Sequence, residues 1–299
     1  MSHILNNVKI EFSDYKEIFS YYVIDEFLKN CGYHKETKPS ASGVYAKLCD
    51  AEIIFVYFMS FSNYGGNYSK TMSSLYNAGF IKNKLSRGQF SKRIYALRMY
   101  IFQIYMLFGE IAKQSNKKFS LDTFPLAVCH NIRIKRCKLL KGEAYRGYNS
   151  SKREFFYGFK VHLITAADGT VTEFEFSPGA LEDLASYNLL NFDLPGGAEL
   201  NMDKAYNFYL QEDLLAETGQ ITPNVIRKSN SKKEDNTVSQ NFIKQVERRH
   251  IETNISLIER LFPKKIHVTN VEGFYFKILG FILAYNMEAF FKASMNLIN

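Results

Sequence analysis

The stretch EFFYGFKVHLITAADGTVTEFEFSPG, residues 154–179, narrows the choice of fold more than any other part of the chain. Two runs rich in β-branched and aromatic residues meet at Ala167-Asp168-Gly169, and an Asp-Gly step between such runs is a hairpin signal. Before it, KFSLDTFPLAV (118–128) reads as another extended run. After it the pattern predicts a helix over ALEDLASYNLLN, a strand over AELNMD, a helix over NFYLQEDLLAET and a short strand over QITPNVI. That order predicts an α/β domain, a mixed sheet covered by helices.

Residues 1–115 have a different texture. YKEIFSYYVIDEFLKNCGY and LCDAEIIFVYFMSFS carry apolar residues at helical spacing, the second with Asp50 as expected N-cap and Glu52 in the first turn. LSRGQFSKRIYALRMYIFQIYMLFGEIAKQ (85–114) follows the same pattern, with Ser86 as cap and Arg87, Lys92, Arg93 and Arg98 projecting. The YGGN at 64–67 is a turn. An all-helical N-terminal region of this kind suits recognition of DNA.

Downstream, RKSNSKKEDNTVSQ (227–240) is polar and without apolar periodicity, so it reads as a loop. NFIKQVERRHIETNISLIERLF then sets Phe242, Ile243, Val246, Ile251, Ile255, Ile258 and Phe262 at spacings of three and four, a long amphipathic helix closed by Pro263. The apolar segment 274–291 approaches the length of a membrane span, but Lys277, Asn286 and Glu288 interrupt it, and a buried core helix is expected. The N-terminus mixes charged and apolar residues from the start, so a cytoplasmic chain is expected. Four cysteines with no C-x-x-C pair fit free thiols in a reducing compartment.

The formal charge of +8 is unevenly placed: residues 133–160 hold nine Lys or Arg against Glu143 and Glu154, a local net of +7. Tyr145, Tyr148, Phe155, Phe156, Tyr157 and Phe159 are interleaved with these charges, the pattern of a surface that holds phosphates and stacks on bases; a solvated basic hairpin would read the same way.

Three acidic residues occupy related places. Asp122 lies in the first extended run, Asp203 ends a later one, and Glu252 sits beside the apolar stripe of the long helix. Carboxylates converging from such elements could hold two divalent cations about 4 Å apart, the arrangement that activates an attacking oxygen at a phosphodiester and stabilises the leaving one. Each also has an ordinary explanation: a strand-end cap, a turn aspartate, and an i,i+4 partner of Arg248.

The blocks LDTFPLAVCHNIRIKRCK, MDKAYNFY and RRHIETNISLIERLFPKKIH, in this order, resemble the signature blocks of the DDE transposases encoded by bacterial insertion sequences, and more narrowly insertion-sequence family nine-eighty-two. The likeness runs over residues 45 to 290 and includes LCDAEII and LSRGQF. It implies a ribonuclease-H-like catalytic domain over 116–299 behind a DNA-end-recognising region over 1–115. It also implies Asp122, Asp203 and Glu252 as ligands of two Mg²⁺ (or Mn²⁺), with Arg248 accompanying the glutamate. Double-stranded DNA would be the partner, bound by a homodimer in the nucleoid, with Arg133, Lys135, Arg136, Lys138, Arg146, Lys152, Arg153, Lys204, Arg249, Lys264 and Lys265 on its phosphates. The gaps of 81 and 49 residues between the acids leave room for the intervening elements.

Related transposases often carry a tyrosine seven residues before the glutamate and a lysine seven after it; Gln245 and Glu259 stand there, and Lys264 and Lys265 could supply the missing charge. Asp183 stands where related transposases would place a histidine-aspartate pair, without the histidine. Cys129, His130, Cys137 and His162 could be named as a zinc set, but C-H-x6-C lacks a second close pair, and His250 reads as a helix-surface residue. No phosphate-cradling or nucleotide-cofactor motif and no G-x-S-x-G occurs. A transposase that cleaves and joins DNA is the expectation. A catalytically decayed DNA-binding repressor and a hydrolysis-only nuclease of the same fold are its rivals.

Overall fold

A computed structural model describes residues 12–33, 47–150, 152–182, 193–203, 206, 209–225, 238–263 and 266–296. The chain divides into two compact units, one of Met106–Ile278 and one of Met1–Tyr105 with Leu279–Asn299.

The first of these holds a mixed sheet of β1 (Lys118–Cys129), β2 (Arg146–Asn149), β3 (Glu154–Ala166), β4 (Val171–Pro178), β5 (Glu199–Met202) and β6 (Thr222–Val225). Its order is β2-β3-β1-β5-β6, with β4 paired to β3 on the same side as β2. β1, β2, β3 and β4 pair antiparallel, whereas β5 lies parallel to β1 and β6 parallel to β5. An antiparallel half joined through β1 to a parallel half, with helices on the faces, is the ribonuclease-H-like arrangement expected. The hairpin forms where the Asp-Gly step predicts it: Gly169 has φ +90° and the Ala166 amide donates to the Thr170 carbonyl at 2.9 Å.

β1 changes its buried side partway along. Phe119 and Leu121 point into a core with Ile164, Ala166, Leu200, Met202, Leu215, Ile221 and Val225. Asp122 and Thr123 then break the alternation, and Phe124 and Leu126 are buried on the other face, where Phe124 meets Phe262. The core face is covered by α5 (Arg98–Ser115), through Ala112, and α6 (Tyr209–Thr218), through Leu215. The opposite face takes α7 (Val238–Leu261), packed on β1 and β5, and the start of α8 (Val271–Asn296), whose Tyr275 stacks on Phe176 at 4.6 Å.

α7 opens at Val238, so the last residues of the expected 227–240 loop are helical; residues 226–237 lie outside the described residues. Its stripe is buried at Ile258 but not at Phe242, which is 64% exposed. The helix expected over 180–191 falls outside the described residues from 183 onward, and Asp183 with it.

In the second unit, α1 (Phe12–Asn30), α2 (Asp50–Asn63), α3 (Tyr68–Asn77) and α4 (Arg87–Ala96) form a helical array. α2 is buried all round from Ile53 to Phe61, as its unbroken apolar run requires. Ser86 caps α4 reciprocally with Gln89, as expected. α2 departs from expectation: its N-cap is Cys49, whose amide donates to Glu52 at 2.6 Å, and Asp50 is instead engaged by Arg93 and Tyr33. Arg93 therefore does not project, since it also donates to the Leu48 carbonyl at 2.5 Å. By length and composition Val271–Ser294 could cross a membrane, but 56% of that window is buried inside the protein, the pattern of a core helix. The reason is visible at Gly280, where an added Cβ would meet the Phe61 ring at 2.4 Å.

Candidate active site

β1 and β5 bring two of the three acidic residues together. The parallel register runs Lys118 with Glu199, Phe119 with Leu200, Ser120 with Asn201 and Leu121 with Met202. Asp122 and Asp203 are the residues that directly follow the last pair of that ladder. Leu121 and Met202 share the core, so alternation along β1 turns Asp122 toward the other face, on which α7 packs, and Asp203 follows at the end of β5. Both are half-buried. Glu252 lies on α7, three residues before half-buried Ile255 and six before buried Ile258. Its side chain is exposed.

The donor set is made of carboxylate oxygens, which suits a hard divalent cation such as Mg²⁺ or Mn²⁺, and the adjacent aspartates fit one. Glu252 is not drawn in around them: among the described residues no three His, Cys, Asp or Glu side chains are gathered closely enough to hold a metal ion. Arg248 sits one turn before Glu252, and Arg249 is exposed on the same helix. Lys204, Lys264 and Lys265 lie outside the described residues.

Behind the aspartates, on the core face, runs a chain of polar groups that periodicity did not reveal. The Thr123 amide donates to the Asp122 carboxylate at 2.7 Å, fixing its rotamer. The Thr123 hydroxyl bonds both the Tyr206 hydroxyl and, at 3.0 Å, Nδ1 of His162; Nε2 of His162 bonds the Ser177 hydroxyl at 2.8 Å. Tyr206 closes the turn after β5, its amide donating to the Asp203 carbonyl at 3.0 Å. One buried tyrosine thus braces the chain at both aspartates, and base stacking by Tyr206 is ruled out by its 1% exposure. The available sequence signal was the placement of Thr123, His162 and Ser177 within otherwise apolar strands.

The same network removes His162 from any zinc set, since both ring nitrogens are spent on hydroxyls. Cys129 and Cys137 do meet, thiol to thiol, across the 3₁₀ turn Asn131–Arg136, and burial with the Cys137 contact pushes the Cys129 thiol up to about 11. A raised thiol pKa keeps the unreactive protonated form at neutral pH. Maleimide mapping by mass spectrometry at pH 7 is therefore expected to label exposed Cys31 well before Cys129, with the Cys129 rate climbing as the pH rises toward 11.

The basic segment is exposed at Arg133, Lys135, Arg136, Lys138, Arg146, Lys152 and Arg153, with Arg146 paired to Glu143 at 2.7 Å. Half of its interleaved aromatics are core: Phe156, Tyr157 and Phe159 are buried where β3 runs into the sheet and is covered on both faces. Tyr148 and Phe155 are exposed.

A family model described as Transposase DDE domain matches residues 112–269, a span that takes in β1, the hairpin, β5, β6 and all of α7. No curated protein and no solved structure matches the chain. The match covers more than half of the sequence and contains Asp122 of β1, Asp203 just past β5 and the helix that carries Glu252; the chain belongs to the DDE transposases.

Proposed function

We propose that this transposase cuts DNA at the ends of a bacterial insertion sequence of family nine-eighty-two and joins them to new DNA, working in the nucleoid. The observation that carries the reading is the parallel register that makes Asp122 and Asp203 neighbours inside the matched domain. In it, Asp122, Asp203 and Glu252 hold the metals, with Arg248 beside the glutamate. Two Mg²⁺, or Mn²⁺, supply activation of the attacking water or 3′-hydroxyl and stabilise the leaving oxygen. The protein's own part is positioning. The Thr123 and Tyr206 bonds hold the aspartates, α7 carries the glutamate to the same side of the sheet, and the 133–153 cations hold phosphates nearby. The N-terminal helices recognise the terminal repeats, and two protomers act on two ends.

The test is a Mg²⁺-dependent reaction on DNA carrying the element's ends. Cleavage followed by joining is expected; cleavage alone identifies a nuclease, and binding without cleavage a decayed, repressor-like protein. Phosphate contacts have their own signature. Replacing Lys135 and Lys138 by glutamine should flatten the slope of log affinity against log salt by roughly two, about one per lost contact, with little change in sequence preference.

A further inference from the structure

Tyr148 of β2 and Phe155 of β3 are cross-strand partners with ring centroids 5.0 Å apart and planes at 58°. They remain 51% and 59% exposed. β2 is held tightly against its neighbours: at Gly147 an added Cβ would lie 2.3 Å from the Gly179 carbonyl oxygen and 2.4 Å from the Phe156 ring, so the backbone presenting Tyr148 is fixed. The 3₁₀ turn Asn131–Arg136 is tied to the same place, Asn131 Nδ2 donating to the Phe155 carbonyl at 2.5 Å. It carries Ile132, 93% exposed, and the exposed Arg133, Lys135 and Arg136. Lys152 and Arg153 are exposed in the β2–β3 turn, where Arg153 has φ +52° and the Lys152 amide donates to Asn149 Oδ1 at 3.2 Å. Of the nearby acids, Glu143 is occupied by Arg146, and Glu154 is exposed.

We propose that the Tyr148–Phe155 pair is a stacking platform for unpaired DNA bases, so that this hairpin binds melted or single-stranded DNA beside the duplex. The inference rests on DNA being the partner, and adds which form of DNA this surface takes. Duplex DNA offers a protein its phosphates and base edges; a ring can stack only on a base that has left the stack. A rigid, exposed aromatic pair within a cationic rim matches an unstacked strand in both respects. A second copy of the chain does not match, because a self-complementary contact would bring the same cations face to face.

The test is fluorescence anisotropy of the full-length protein without divalent metal, on a labelled single-stranded oligonucleotide and on a blunt duplex of the same sequence. Tyr148→Ala and Phe155→Ala should each weaken single-strand binding by roughly 5- to 150-fold, with duplex affinity changed less than about twofold. Tyr148→Phe should keep the single-strand affinity, and intact duplex binding reports that each variant is folded. Equal losses on both DNAs, or no loss on either, would overturn the platform. So would an unchanged DNA affinity accompanied by a dissociated dimer, which would assign the pair to a second copy. Failure of the native protein to bind any DNA would instead overturn the wider DNA reading, which separates the two.

Discussion

Asp203→Asn is expected to reduce Mg²⁺-dependent DNA cleavage by about a thousandfold or more, while leaving DNA binding and the thermal midpoint unchanged. The substitution keeps the side chain's size and removes the charge that would hold a cation, and stabilising the charge that develops at an attacked phosphodiester is worth several kcal/mol. Asp203 leaves β5 directly after buried Met202, and its backbone is set by the Tyr206 amide, so asparagine meets no new clash. Asp122→Asn should be equally severe, and the double variant no worse than either single one, because the two carboxylates act as a unit. Glu252→Gln tests whether the exposed glutamate on α7 joins them when DNA and metal are present. Gel-resolved nicking of an end-bearing duplex, beside anisotropy on the same DNA, reads both properties. Cleavage by Asp203→Asn at the native rate would remove the catalytic assignment.

How much of this was legible depends on whether the cause is local. The hairpin was, because the Asp-Gly turn and the runs on either side of it agree without help from elsewhere. So was the place of each carboxylate on its own element. That Asp122 and Asp203 are neighbours was not, since parallel pairing across 81 residues leaves no local trace; only the likeness to DDE transposases pointed to it. β2 escaped notice as four residues with a glycine in a basic stretch, and it is a strand only through its pairing with β3. The aromatic count over 145–159 overstated the exposed surface for the complementary reason: composition cannot distinguish a doubly covered strand from a hairpin tip. Cys49 replaced Asp50 as cap because the Asp50 carboxylate is engaged by Arg93 and Tyr33, partners distant in sequence.

Lys113 is the extreme case of a residue whose role is invisible locally, and Lys113→Met is expected to destabilise the sheet-bearing unit strongly. Its side chain is 7% exposed and its ammonium lies 3.2 Å from carboxylate oxygens of Glu110, Glu173 and Asp193, tying α5 to β4 and to the segment that leads into β5. Burial disfavours its charge, but Glu173, with Glu110 and Asp193, outweighs that and raises its pKa; burial likewise raises that of Glu173 despite the lysine. Methionine fills the stem's volume yet leaves Glu173 part-buried without its counter-ion, and breaking such a pair costs about 3 kcal/mol at pH 7, the low end because Glu173 keeps some solvent. For a unit of this size that lowers the thermal midpoint by roughly 6–12 °C. The sign with pH follows from the carboxyl. Its folded pKa is already raised and rises further without the lysine, so the protonated form is the tolerated one; the deficit should be small in acid and grow as the pH climbs through that raised value. Urea unfolding followed by circular dichroism at pH 5 and pH 7 measures it, and adding Glu173→Leu should restore most of the loss, since a buried ion pair replaced whole by apolar groups is often neutral. A deficit equal at both pH values and unrelieved by the second substitution would show that Lys113 acts through packing of its stem instead of its charge.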